Sequence, residues 1–387
     1  MRVLALASYP VEAAATRYRL AQYVAPLRER GIELEVRPFL DSRLFASLYR
    51  RDQLPRTAAG LARAALARAF DVTAARRADV VLVQREAMMF GPPVVEYLST
   101  RLGGRPLVLD LDDATYVAYT SPTYGRLASA LKWFSKTDDL IRWARVVTCG
   151  SRAVAEYVGS KGGRAVLVPT VVDTDLFRPA ERGKDEDAST PVVGWVGTHS
   201  TFPYLESIFP VLEELARSHR FRLKIVGAGR DGVSVAGVGV ENLPWEMARE
   251  IADFRSFDVG VYPILPSAWA AGKSGFKSVQ YMAVGVPFVA TPLGATTELG
   301  EPNVTHFLAA TRGEWLASLS RLVADAALRR EMGAAGRAHA LAHYTVPAQA
   351  DKLALALREA AGGGGGAATR RRGDAEGGSG GDSKDGN

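Results

Sequence analysis

At 387 residues the chain is long enough for two domains, and with 47% apolar and 23% charged residues it has the make-up of a soluble globular protein. Its net charge of +6 comes from scattered arginines and from Arg370-Arg371-Arg372 near the C-terminus. No basic stripe is interleaved with aromatics, which argues against a nucleic-acid partner, and no segment has the length or purity of a membrane span. A basic face resting on an anionic membrane stays open as an alternative.

The elements alternate along the chain. Met1 to Ala7 reads as a first strand and not as a signal peptide, because Pro10 and Glu12 follow so soon. Arg17 to Arg30 is predicted as a helix with Leu20, Tyr23, Val24 and Leu27 on one face. Glu33 to Pro38 is a second strand, and Ala58 to Phe70 an alanine-rich helix. Val80 to Gln84 and Leu107 to Leu111 are continuous apolar runs, the pattern of parallel strands covered on both faces. Leu127 to Trp143 is predicted helical, Val146 to Cys149 a strand, and Ser151 the N-cap of the next helix. Cys149 is the only cysteine; it reads as a buried, inert thiol, and a reducing cytoplasm fits.

A polar connector from Glu181 to Thr190 marks the domain boundary, after which the alternation restarts. Val192 to Val196, Phe221 to Val226, Val259 to Tyr262 and Phe288 to Ala290 are predicted strands. Helices are predicted over Phe202 to Ser218, Thr311 to Ala326 and Pro347 to Ala360. Two runs of strand–helix–strand units imply an α/β fold of two Rossmann-like, doubly wound domains facing a cleft. The expected division is 1–180, 190–345, a closing helix over 346–361, and a glycine-rich tail over 362–387 that is expected to be disordered.

The candidate chemistry clusters late in the chain. Gly272-Lys273-Ser274-Gly275 opens a helix carrying Phe276, Lys277, Gln280 and Met282. Free backbone N–H groups and the helix dipole make such a start an anion site, and Lys273 and Lys277 add charge to it. Gly197, Thr198 and His199 follow one strand and could meet phosphate; Gly227-Ala228-Gly229-Arg230 follows another, with Arg230 able to grip phosphate or cover a base. In the first half, Asp110, Asp112 and Asp113 crowd a strand end. Carboxylates so close repel one another, which makes a nearby cation attractive. Arg85 and Glu86 end another strand, and Arg17 and Arg19 open the first long helix.

Four segments together carry a resemblance. They are Val168-Pro169-Thr170-Val171-Val172-Asp173 with Phe177 and Pro179, Gly194 to Thr201, Phe257 to Pro263, and Gln280-Tyr281-Met282-Ala283-Val284-Gly285-Val286-Pro287. In this order and spacing the chain resembles the GT-B-fold retaining glycosyltransferases of family four (glycosyltransferase group 1), over roughly residues 1 to 350. The resemblance implies transfer of a hexose (glucose or N-acetylglucosamine) from a UDP-sugar to a small hydroxyl acceptor. It implies Lys273, Lys277 and Arg230 as the groups that stabilise the departing diphosphate, with no metal and no bound cofactor. Gly197, Thr198, His199, Gly275, Phe276 and Gln280 would hold the donor; Arg17, Asp110, Asp112 and Asp113 would hold the acceptor. Aminocyclitol glycosyltransferases that act on 2-deoxystreptamine are one branch of the family, and the aspartates suit a cationic acceptor of that kind. The departures are Gly272 and Gln280 where the family carries two glutamates, Thr198, His199 and Pro203 where it carries phosphate-gripping basic residues, and Ala13 to Arg19 in place of its N-terminal glycine-rich loop. A lipid or cell-envelope polysaccharide acceptor is the rival. A non-catalytic nucleotide-sugar-binding homologue and a nucleotide-sugar isomerase are the readings of another class.

Overall fold

The computed structural model describes residues 1–48, 51–119, 125, 129, 131–180 and 190–362, with Arg51 described in its backbone only. The expected connector at 181–189, the tail at 363–387 and part of the helix expected from Leu127 lie outside the described residues.

The first sheet holds β1 (Arg2–Ala7), β2 (Glu33–Pro38), β3 (Val80–Gln84), β4 (Leu107–Leu111), β5 (Val146–Cys149) and β6 (Ala165–Leu167) in the order β2-β1-β3-β4-β5-β6. The second holds β7 (Val192–Val196), β8 (Arg222–Val226), β9 (Gly239–Leu243), β10 (Val259–Tyr262), β11 (Phe288–Ala290) and β12 (Phe307–Leu308) in the order β12-β11-β10-β7-β8-β9. Every pairing is parallel. β3, β4 and β7 are buried along their whole length, which is why their sequences show no polar alternation. Strand order reverses beside β1 in the first sheet and beside β7 in the second. Such switch points leave a crevice outside the C-terminal strand ends, and the loops there are free to carry a site.

Two predicted helices are broken, both by proline. The first runs as Ala14–Arg19, a 3₁₀ turn Ala21–Tyr23 and Val24–Glu29, so that Pro26 falls in a first turn, where its missing N–H costs nothing. The stretch from Phe202 likewise divides into Phe202–Glu206 and Phe209–Leu215, with Pro210 at the second start. The alanine-rich helix is longer than expected, Leu54–Ala75. Ser151 caps its helix through the amide of Val154, as expected.

The helix Val346–Gly362 packs on β3, β4 and β5, the strands of the first sheet. Ala350, Leu353, Ala354, Leu357 and Ala360 are buried there. Arg30–Asp351 at 2.7 Å and Arg164–Glu359 at 3.0 Å close its rim. Cys149 is free and buried, and burial pushes its thiol up to about 12. No helix of the described residues is long and apolar enough to cross a membrane.

Candidate functional site

A cavity of about 680 Å³ opens between the two sheets, lined from the C-terminal ends of both. Tyr9 and Ala13 to Ala15 follow β1, Arg85 follows β3, and Asp113 follows β4. Across the gap, Gly197, Thr198 and His199 follow β7, Gly227 and Gly229 follow β8, and Trp245 follows β9. The loop after β8 can lie this close because Gly227 has φ +84° and no Cβ. A methyl group there would stand 2.4 Å from the Gly197 carbonyl oxygen.

The helix Phe276–Ala283 points its N-terminus at this space. Its N-cap, Gly275, is left-handed at φ +67° and makes no side-chain cap. The Ser278 amide turns back to the Gly275 carbonyl at 2.9 Å, and no side chain caps the amides of Phe276 and Lys277, which are left for a ligand or water. Lys273, Ser274, Phe276 and Lys277 all line the cavity. The Lys273 ammonium lies 4.2 Å from the Trp269 ring centroid, and that of Lys277 lies 5.3 Å from the Phe254 ring. Burial lowers both, that of Lys277 to about 8, and outweighs the upward pull of Asp113 on Lys273 and of Glu250 on Lys277. Two desolvated cations beside a helix start are what an incoming diphosphate would neutralise.

Gly275 and Gln280 take supporting positions. Gly275 is buried against Leu299 and Ala295, outside the cavity wall. Gln280 is 0% exposed; its Oε1 accepts from the Lys277 Nζ at 3.0 Å and its Nε2 donates to Glu250 at 3.2 Å. It lies behind the cavity surface and does not line it. The carboxylate beside it is Glu250, a cavity-lining residue that also accepts from Arg17 at 2.8 Å and from the Tyr18 hydroxyl at 2.7 Å. Arg17 is not part of the cavity wall. It bridges the domains, with its guanidinium 4.7 Å from the Tyr18 ring and 5.4 Å from that of Trp245.

The aspartate triplet does not act as one group. Asp110 is buried in a bidentate pair with Arg19 and accepts from the Thr148 hydroxyl at 2.6 Å. Asp112 is clamped by both arms of Arg85, at 2.5 and 2.6 Å. Burial lifts its carboxyl, but Arg85 outweighs that and holds it below the ordinary range. The cation that the crowded carboxylates call for is thus supplied internally, by Arg19 and Arg85, and this corrects the expectation of an acceptor cation at Asp110 and Asp112. Asp113 alone reaches the cavity. Burial and Asp112 raise it, against the pull of Lys273 and Arg85, and it accepts from the Ser274 amide across the domain gap at 3.2 Å. Arg85 holds this set from a left-handed backbone, φ +62°.

Of the predicted donor groups, the structure brings Lys273, Lys277, Gly197, Thr198, His199 and Phe276 to one cavity. Arg230 is not in its wall. It is exposed, paired with Glu206 at 3.1 Å and laid 4.5 Å over the Phe202 ring. Glu250, Glu12, Trp245 and Trp269 line the cavity without having been singled out. Glu250 carried no usable signal, since its partner Arg17 is 233 residues away.

Residues 190–325 match the family model described as glycosyl transferases group 1. No curated protein matches the chain. Among solved structures, Anabaena HepE in complex with UDP-glucose superposes with a TM-score of 0.65 at 19% identity, over 93% of this chain and 100% of that one. Sucrose-phosphate synthase from Thermosynechococcus elongatus superposes at 0.63 and 14% identity, over 92% and 98%. A glycosyltransferase from Rickettsia africae gives 0.65 and 14%, over 93% and 98%. The second half thus matches a group 1 glycosyl transferase domain, and the chain as a whole has the two-sheet fold of solved glycosyltransferase structures.

Proposed function

We propose that the protein moves a hexose, glucose or N-acetylglucosamine, from a UDP-sugar to a small hydroxyl acceptor with retained anomeric configuration, in the cytoplasm and without a metal. The observation that carries this is the pair of desolvated, cavity-lining ammonium groups of Lys273 and Lys277 at a helix N-terminus, facing the Gly197–His199 turn. The bond from the anomeric carbon to the diphosphate breaks through an oxocarbenium-like state. The acceptor oxygen bonds that carbon on the same face, and its proton goes to a phosphate oxygen of the leaving group. The protein's part is to place the reactants and to stabilise the charge on the departing diphosphate. Recognition of uridine is supported by HepE, a similar fold captured with UDP-glucose.

The acceptor side is the first-domain wall of Tyr9, Glu12, Phe45, Arg85 and Asp113. A cationic aminocyclitol such as 2-deoxystreptamine would meet Glu12, whose Oε2 is covered and lacks a hydrogen-bond partner, and Asp113. A neutral or lipid-linked hydroxyl is the second reading. Glu12→Gln with Asp113→Asn separates them: affinity for an amino acceptor should fall steeply, that for a neutral one little. The transfer itself is tested by incubating the purified protein with UDP- and GDP-sugars and following product or slow donor hydrolysis by mass. Neither turnover nor binding at millimolar donor would end the proposal.

A further inference from the structure

The helix Leu54–Ala75 carries more on its outer face than a covering helix needs. Its inner face is apolar: Leu61, Ala64 and Ala65 pack with Leu44 and Phe39. The opposite face presents Leu66 and Phe70, 72% and 76% exposed, one turn apart. Arg56 and Arg63 precede them on that face, and the exposed Arg76 and Arg77 follow the helix end. From 54 to 77 the only acid is Asp71, which is buried and paired with Arg68 and Arg37. Arg63 has one loose acidic neighbour, Asp41 at 4.0 Å, both exposed.

A second element extends the pattern. The turn of helix over 94–102 packs against Leu54–Ala75 and exposes Val94, Tyr97, Leu98 and Leu102 together with Arg101. Its acid, Glu96, is buried and accepts from the Ala87 amide. The segment bearing exposed Leu131 and Trp133 is tied to Gly91, just before it, through the Leu131 carbonyl. Other long helices do not look like this. Ala326–His343 exposes Arg330 beside Glu331, and Val346–Gly362 exposes Asp351 beside Lys352 and Arg358 beside Glu359. A face of leucines, aromatics and arginines whose own acids, Asp71 and Glu96, are buried fits a surface that is apolar within and negative at its rim. That is the interfacial zone of an anionic bilayer.

We propose that this face of the first domain docks the protein on an anionic lipid surface. The helix that carries it is linked to the cavity through its inner side: the helix Ser42–Ser47 packs Leu44 against Gly60 of the long helix, and its Phe45 lines the acceptor wall. Docking there would bring the acceptor wall close to the lipid headgroups. The inference does not depend on the sugar-transfer reading.

The test is co-sedimentation of the full chain with vesicles of phosphatidylcholine alone and of phosphatidylcholine with phosphatidylglycerol. Three proteins are compared: wild type, Leu66→Ser/Phe70→Ser, and Arg56→Gln/Arg63→Gln/Arg76→Gln/Arg77→Gln. Wild type should pellet with the anionic vesicles only. Each variant should need roughly tenfold or more lipid for half-binding, with thermal unfolding and UDP binding unchanged. The arginine variant keeps the test open if the serine variant folds poorly. No binding by wild type would overturn the proposal. So would undiminished binding by the variants, which would pass the role to another basic segment such as Arg370 to Arg372. It would equally fall if the substitutions dispersed a self-associated wild type that ignores vesicles.

Discussion

Lys277 ties the electrostatics of the site to a measurable pH. Burial first, then Arg17 and Lys273, lower it from 10.5 to about 8, while Glu250 pulls it up. A diphosphate favours the ammonium form. Donor affinity should therefore be full below about pH 8 and fall as pH rises through that value, on the order of tenfold for one lost charge-assisted contact. Stability should move the other way. Between about 8 and 10.5 the unfolded chain still holds the proton that the folded chain has released, so the lysine's contribution to stability rises with pH across that window. UDP titrations from pH 7 to 9.5 check the first sign, and denaturant midpoints over the same range the second. Gln280 explains how a neutral residue can stand on this helix. Its amide is spent between Lys277 and Glu250, so the acid beside the cavity comes from a neighbouring helix start rather than from position 280.

At the scale of elements, the helix Phe276–Ala283 depends on its cap. Gly275→Ala would place a Cβ 2.4 Å from Leu299 Cδ1 and 3.2 Å from Ala295 Cβ, in a left-handed backbone. Overpacking and the unfavourable φ together should cost about 2–4 kcal/mol and weaken donor binding by displacing Lys273 and Lys277. A drop in the urea midpoint together with a rise in the UDP dissociation constant checks both. The strands were legible because buried parallel strands must be apolar on both faces, as Val80 to Gln84 and Val192 to Val196 are. The helix Ala326–His343 was not expected, because its buried residues include Gly333, Gly336 and Ala340, chosen for close approach rather than for an apolar stripe. A Cβ on Gly333 would stand 2.2 Å from the Gly285 carbonyl oxygen. β9 and β12 escaped for different reasons: β9 is a half-exposed edge strand, and β12 has two residues.

At the scale of the molecule, the domains meet through aromatic packing, with Tyr18 4.7 Å from Phe276 between ring centroids, and through polar contacts beside the cavity. Arg17–Glu250, Tyr18–Glu250 and Asp113–Ser274 all cross the gap. Arg17 and Glu250 are 15% and 5% exposed in their side chains, so their coupling should exceed that of a surface pair. A double-mutant cycle with Arg17→Met and Glu250→Gln should return an interaction of about 1–3 kcal/mol in thermal unfolding; additivity would show that the bridge is incidental. The closing helix was foreseen from Pro347 and its apolar pattern. That the aspartates are neutralised by Arg19 and Arg85 was not, because those pairings join residues 27 and 91 positions apart.

The central claim is that Lys273 and Lys277 receive the diphosphate of the donor. Calorimetric titration of UDP and of uridine into wild type and Lys273→Ala/Lys277→Ala, at pH 7, measures it directly. The account predicts UDP affinity weakened about a hundredfold, with uridine affinity unchanged. Equal UDP affinity in the two proteins would contradict it.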